Sequence, residues 1–568
     1  MGNLAACPVL AFDSENRRQP EIANSDNPLE SALLAWRQAL GDEHVVTHPE
    51  RLDEAARTTF ATRQRIPAIL RPGDRQQVGD SLRIASSHGI PVYPISKGCN
   101  WGYGSRVPSG DGCVLLDLRR LNRIVDFSEE LAYVTVEPGV TQQQLVDFLE
   151  AKQSRLMLSV TGAPPTASLI GNAVERGSGK GIYGDRFAHV CGLEVVLADG
   201  RCLNTGFSRY PGAKTAPLGR WGLGPSLDGL FSQSGLGVVT RMTLWLTPYP
   251  EYLQTFCYQV PDGAGLGPLV DALRELRMRG VMRGSFMIFN DLRMLSIKQR
   301  FPWRLADGRA PLSDEHRQVL GKRLGAGRWF GEGALHSPSR AVGLAERKLV
   351  RRALAGKVKK ILFMDAGKAR WMKRLAPLWK RLSGEDMNAM MEMAFEQNPQ
   401  RGIPAIQPTK LAYWKKQTRP SGATVDLDPD RDRCGLIWCA PALPFTGEDV
   451  ARAVAIIEEC LRGFGFDANI GLNFSSERMV EASIAILYDR DQKGEDERAH
   501  ACHDALLKLL GQAGYLPHRL GIQSMSALPP AGDDSPAVYD ALKNLFDAAG
   551  ILAPGRYHGV GEEGGCRV

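Results

Sequence analysis

The pattern of apolar and polar positions changes character twice along the chain. Residues 1–60 are mostly polar, with one helical stretch at 29–40, and read as a leading arm. From 66 onward short apolar runs alternate with Gly/Pro punctuation. Apolar spacing predicts a helix at 75–88, followed by a buried strand at 91–95. Strands follow at 114–118 and 132–136, then an amphipathic helix at 141–152. A strand at 193–197 closes on an Asp-Gly turn at 199–200, and a long strand at 238–246 stops at Pro248 and Pro250. Beyond about 255 the chain carries longer helices, at 266–280, 313–324, 339–355, 366–382, 447–464 and 497–513, with strands at 434–439 and 483–488. The stretch 511–568 is rich in Gly and Pro, with one helix near 536–549. Strands and helices are mixed without a strict βαβ alternation, which predicts an α+β fold. The shifts in texture place boundaries at 1–60, 61–255, 256–510 and 511–568.

Composition narrows the class. The 568 residues imply two or three domains, and 70 basic against 63 acidic residues leave a net charge of +7. That mild excess, without a concentrated basic patch, does not point to nucleic acid. No apolar run reaches membrane-span length, and the N-terminus lacks the basic and apolar regions of a signal peptide. Ala6 stands where a myristoylation signal would carry Ser or Thr. The 11 cysteines never form a CxxC pair and read as reduced thiols of a cytoplasmic protein. The 10 histidines show no metal-binding spacing, so no protein-ligated metal is expected.

The most informative stretch is 92–105, a short strand opening into a loop with Gly98, Gly102 and Gly104 and with Ser96, Asn100 and Ser105. Glycines let the backbone approach a ligand, and successive N–H groups make an anion-binding concavity. This is what a nucleotide pyrophosphate needs, and Tyr103 sets a phenol in the same loop. A second glycine pattern, GxGxxG at 179–184, follows no strand and opens no helix, so it fails the context of a nicotinamide-binding fingerprint.

Ten short motifs in order resemble the vanillyl-alcohol oxidase and p-cresol methylhydroxylase flavoproteins. They are Pro94-Ile-Ser-Lys-Gly-Cys-Asn-Trp-Gly-Tyr-Gly104, Val136-Glu-Pro-Gly-Val140, Gly171-Asn-Ala-Val-Glu-Arg-Gly177, Tyr183-Gly-Asp185, Gly192-Leu-Glu-Val-Val-Leu-Ala-Asp-Gly200, the run from Gly222 to Gln233, Gly237-Val-Val-Thr240, Pro311-Leu-Ser-Asp-Glu315, Gly327-Arg-Trp329 and Ala553-Pro-Gly555. The resemblance spans about 60–558 and implies a PCMH-type FAD-binding domain of two α+β subdomains, an α+β cap over the substrate, and a C-terminal return to the FAD domain. It implies FAD contacts at Pro94, Ile95, Ser96, Lys97, Gly98, Cys99, Asn100, Gly102, Tyr103, Gly104, Ser105, Pro138, Gly139, Ser168, Gly171, Asn172, Gly237, Val238, Val239 and Arg519.

The family oxidises para-substituted phenols by removing hydride from the benzylic carbon to flavin N5, leaving a quinone methide. The reaction needs a stabilised phenolate, held by positioned donors. The resemblance assigns that work to Tyr103, Tyr183 and Arg519, with His518 standing where the family carries a third tyrosine. Buried structural tyrosines, an arginine in an ion pair and a loop histidine are the bland alternatives. Glu481, near Arg478, is a candidate acid/base or else a solvated carboxylate, and Asn473 is a weaker candidate.

Three departures stand out. Leu436 occupies the position where many members attach flavin covalently, so dissociable FAD is expected. Ala163 replaces the acid near flavin N5, and Cys99 lies about where other flavoproteins carry a linking His. The departures at Ala163 and His518 keep open a non-phenolic alcohol or amine of a biosynthetic pathway as substrate; a redox-silent flavin binder is the remaining alternative. The expected partners are a small aromatic substrate and either oxygen or an electron-carrier protein, with a homodimer plausible. The basic stretch 356–382 reads as an amphipathic cap helix with a solvated face or, alternatively, as a partner or membrane-surface helix, with Pro377 interrupting it.

Overall fold

The computed structural model describes residues 27–557, apart from 262–264, 325–326, 384–394, 396–397 and 419–426. The first layer is a four-stranded sheet in the order Val45–Val46, Ile69–Leu70, Val114–Asp117, Val92–Ile95. Its last three strands run parallel, so both faces need cover. The helix Arg75–His88 covers one side. Asp74 caps it by accepting from the Gln77 N–H at 2.8 Å, and Gly89 ends it in the left-handed region. The helix Pro28–Leu40 packs on Arg75–His88, and its Trp36 is fully buried. From Pro28 onward, the segment read as a leading arm is therefore part of this layer. Residues 1–26, including the N-terminal positions weighed for a signal, lie outside the described residues.

The second sheet is antiparallel, in the order Ile124–Ser128, Tyr133–Val136, Val238–Trp245, Val190–Val196, Cys202–Asn204. The Asp199-Gly200 turn joins its last two strands, with Gly200 at positive φ. Near the C-terminus, Val92 donates to the Ile551 carbonyl and accepts from the Ala553 N–H, each at 2.8 Å. This segment thus docks back on the first sheet.

The cap is built on one antiparallel sheet of eight strands. Seven lie in the order Lys360–Asp365, Tyr252–Val260, Trp329–Ser337, Phe286–Asn290, Asn469–Phe474, Met479–Asp489, Cys434–Cys439, and Ala442–Pro444 also pairs with Met479–Asp489. Alternation divides its faces. Phe286, Ile288, Ile470, Leu472, Phe474, Val480, Ala482, Ile484 and Ile486 pack under the helices Gly267–Met278, Arg340–Leu354, Gly447–Gly463 and Glu495–Gln512. The intervening positions carry Met287, Glu332, Gly471, Asn473, Glu481 and Ser483, and this polar face turns toward the FAD-binding layers. Among the described residues no helix is long and apolar enough to cross a membrane.

The basic stretch does not form one helix. It contains the strand Lys360–Asp365, then the helix Ala366–Ser383 with Trp371 exposed, and that helix runs through Pro377 instead of stopping there as expected; the side chains at 377–383 lie outside the described residues.

Candidate active site

The glycine loop closes against the cap through its backbone. Gly102 donates its N–H to Thr59 Oγ1 at 2.9 Å and accepts from the Trp438 N–H at 3.1 Å. Thr59 Oγ1 in turn donates to the Leu436 carbonyl at 2.8 Å. A Cβ on Gly102, at φ +79°, would stand 2.2 Å from Trp438 Cδ1, so only glycine permits this approach. Ser105 Oγ and Trp101 Nε1 donate to the two carboxylate oxygens of Asp430 at 2.8 and 3.1 Å. Burial pushes the Asp430 carboxyl up to about 7, opposed by the Ser105 hydrogen bond.

Three further segments carry candidate cofactor contacts, and one of them, at 168–172, meets this loop. Ser168 Oγ donates to the Pro138 carbonyl at 2.6 Å and accepts from the Gly171 N–H at 2.9 Å. Gly139 fits only as glycine, since a Cβ would lie 2.4 Å from the Arg119 carbonyl. A Cβ on Gly171 would touch Ser96 Oγ at 3.3 Å, which places the strand end Pro94–Ile95 and Ser96 beside the Ser168–Asn172 turn. Asn172 Oδ1 is buried and has no hydrogen-bond partner among the described residues. Gly237, Val238 and Val239 run along Val195 and Val196 in the second sheet. Glycine-bared backbone, small hydroxyls and an orphaned amide oxygen form a cradle that suits FAD. The GxGxxG stretch does something else: Ser178 and Asp185 pair across it, and it reaches toward the cap.

Tyr103 projects from the loop into the junction. Its side chain is half-buried, and loss of solvent pushes the phenol up to about 12, with the Arg519 charge opposing the rise. The Arg519 guanidinium lies 4.3 Å from the Tyr103 ring centroid, a cation–π contact. It donates to Asn100 Oδ1 at 2.6 Å, and its Nε stands 3.5 Å from Glu175. Glu175 also pairs with Arg556, which donates to the Tyr93 hydroxyl at 2.5 Å. Arg519 is thus both ion-paired and turned on the loop tyrosine.

Burial holds His518 below its ordinary value, while Glu481 raises and Arg519 lowers its proton affinity. Its backbone is fixed by the Ala440 carbonyl at 3.0 Å and by Gln233 Nε2 at 3.0 Å. Glu481 accepts from Ser178 and, at 2.9 Å, from Asn473 Nδ2, so it is a hydrogen-bonded group of the junction and not a solvated surface carboxylate.

Tyr183 takes a different position. Its ring stacks on His189 at 4.0 Å, and among the described residues it makes no hydrogen bond to Tyr103, His518 or Arg519. The Cys99 sulfur lies near the Lys97 carbonyl and Thr166 Oγ1, and burial pushes its thiol up, away from the thiolate.

Residues not singled out in the sequence also converge here. Arg293, on the helix Asp291–Lys298, donates to the Ser483 carbonyl at 2.6 Å and lies 5.0 Å from the Trp438 ring. Lys180 reaches the Met287 thioether, one strand from Glu332. Glu175 was visible only as part of a motif. A separate cleft of about 250 Å³ lies between 311–317 and 458–468 on the cap, and none of these residues lines it.

A family model described as an FAD binding domain matches residues 66–206. The chain is 47% identical over 530 residues to 1'-carboxy-chondrochloren decarboxylase of Chondromyces crocatus, covering 93% of this chain and 97% of the relative. It is 29% identical to the 4-cresol dehydrogenase [hydroxylating] flavoprotein subunit of Pseudomonas putida, covering 92% and 94%. The crystal structure of p-cresol methylhydroxylase with substrate bound superposes with a TM-score of 0.82 at 28% identity, covering 94% of this chain and 97% of that one. The chain belongs to the p-cresol methylhydroxylase family of flavoproteins. As a member it is an FAD-dependent oxidoreductase.

Proposed function

We propose that this flavoprotein oxidises a para-substituted phenol at its benzylic carbon, and that the resulting quinone methide loses a side-chain carboxylate as CO2. The observation that carries the reading is the junction of Tyr103, Arg519 and His518 beside the FAD loop. Bound FAD supplies the hydride acceptor. His518, neutral at pH 7, takes the phenol proton, and Glu481 stabilises the imidazolium so formed. Tyr103, whose own proton is firmly held, donates to the phenolate, and Arg519 adds positive charge behind it.

Once hydride has left, the side-chain carbon–carboxylate bond breaks. Its electron pair forms the new C=C bond, the ring returns to a phenolate, and CO2 departs. No water has to be activated, which agrees with Ala163 standing where the resemblance expects an acid. The 47% identical relative, named a decarboxylase, supports the same outcome. FAD is held without a covalent bond: Leu436, packed against the Gly102 turn, offers no nucleophile.

A second reading, a non-phenolic alcohol or amine, is favoured by the histidine at position 518. Anaerobic flavin reduction by 3-(4-hydroxyphenyl)propanoate and by its 4-methoxy analogue separates the two. The phenol reading expects bleaching by the free phenol alone; equal rates refute it.

A further inference from the structure

A buried arginine and a half-buried lysine on the cap face of the junction form no close ion pair among the described residues, although the Glu332 and Glu481 charges act on the lysine. Arg293 is only 6% exposed. Its Nη2 donates to the Ser483 carbonyl at 2.6 Å and to Ser483 Oγ at 3.1 Å, and its Nε is buried with no hydrogen-bond partner among the described residues. Its Nη1 donates to no described group. Lys180 enters from the 178–185 loop, whose backbone is pinned by the Val160 carbonyl, and its ammonium ends on the Met287 thioether. A thioether is a weak acceptor and carries no charge. Among the described residues no Asp or Glu oxygen lies within 4 Å of either cation.

Register places the two cations over neighbouring sites. Met287 pairs with Asn473, and Gly471 lies two residues from Asn473 on the same face. A Cβ on Gly471 would stand 3.1 Å from Arg293 Nη2, so the absent side chain leaves the space that the guanidinium fills. Two residues along a strand is roughly 7 Å. The acidic groups facing this wall are Glu332, one strand beyond Met287, and Glu481, which is occupied by Ser178 and Asn473. Glu332 is itself pushed up toward its neutral form by burial, with the Lys180 charge opposing the rise, so it is a weak counter-ion to that lysine.

Burying two like charges together is costly unless an anion joins them. Desolvation already drives Lys180 down and Arg293 down to about 9. A planar guanidinium with free N–H groups and an ammonium beside it match a carboxylate. Trp438 links this wall to the flavin loop, because it lies 5.0 Å from Arg293 and hydrogen-bonds to Gly102.

We propose that Arg293 and Lys180 form a carboxylate subsite, which selects para-phenols bearing an anionic group on the side chain. The inference deepens the reading above and rests on it for the phenol half of the substrate.

The test is calorimetric binding of 3-phenylpropanoate and 3-phenylpropanamide to the FAD-loaded protein. These ligands lack the phenol, so the result does not depend on turnover. Wild type binds the carboxylate at least about 30-fold more tightly than the amide. In Arg293→Gln that preference falls below about threefold, whereas Arg293→Lys keeps part of it. Lys180→Met, which preserves the apolar stem, lowers it by a smaller factor. Bound FAD content reports folding of each variant. Equal wild-type affinity for acid and amide, or an unchanged preference in Arg293→Gln, overturns the subsite. Tight carboxylate binding with no flavin bleaching by 3-(4-hydroxyphenyl)propanoate leaves the subsite standing and refutes the phenol reading.

Discussion

Replacing Glu175 by Gln keeps the shape of the side chain and removes its charge, leaving Arg519 and Arg556 without their shared anion. All three side chains are largely buried, at 11–14% exposure, so solvent screens the loss little. Removing one partner of a buried pair costs about 3–5 kcal/mol. Part of this is returned, because Arg556 keeps the Tyr93 hydroxyl and Arg519 keeps Asn100. The share borne by Arg519 is that of one charged hydrogen bond, about 1.5–3 kcal/mol. If that energy holds the guanidinium over Tyr103, its loss slows flavin reduction roughly 10- to 150-fold. The assay is anaerobic stopped-flow bleaching with 3-(4-hydroxyphenyl)propanoate, at matched FAD content. Glu175→Gln reducing its flavin at the wild-type rate would show that Glu175 does not orient Arg519 and that Asn100 suffices.

Gly102→Ala forces a Cβ into Trp438 at a left-handed backbone position, so FAD occupancy collapses; absorbance at 450 nm of the purified variant checks it. Acid precipitation of wild type releases the yellow colour into the supernatant, whereas colour in the pellet would revive Cys99 as a linking residue. His336 is pushed down to about 4 by burial, while the unfolded chain protonates it near 6.5. The unfolded state therefore binds more protons below 6.5, and stability is lost as pH falls from 6.5 toward 4, by up to about 3 kcal/mol. Denaturant titrations across that range show a shallower pH slope in His336→Gln. Tyr103→Phe removes a donor that stays protonated up to about pH 12, so flavin reduction slows by a similar factor at pH 6 and pH 9.

The FAD half of the molecule was legible because its signals are local. The helix at 75–88, the strand ending at Ile95 and the Asp-Gly turn at 199–200 are each set by caps, glycines and short-range periodicity. The cap sheet was largely hidden. Only 434–439 and 483–488 read as strands, whereas Tyr252–Val260, Phe286–Asn290, Trp329–Ser337, Lys360–Asp365 and Asn469–Phe474 did not. Their junction-facing positions carry Met, Glu, Gly and Asn, which blur the alternation that marks a half-buried strand. The same positions are the site. Tyr103 was reachable through a motif and His518 and Arg519 through the family resemblance, but Arg293, on a cap helix, and Lys180, on the 178–185 loop, meet Glu332 only through the tertiary packing around that sheet. Tyr183 shows the converse, since a motif match did not foretell that its ring would stack on His189.

Carbon dioxide counted against reduced flavin decides whether oxidation by this flavoprotein ends in decarboxylation. In one anaerobic turnover with 3-(4-hydroxyphenyl)propanoate labelled at the carboxyl carbon, oxidative decarboxylation yields one labelled CO2 and one 4-vinylphenol for each flavin bleached. Bleaching that leaves all the label in a hydroxylated acid would contradict it.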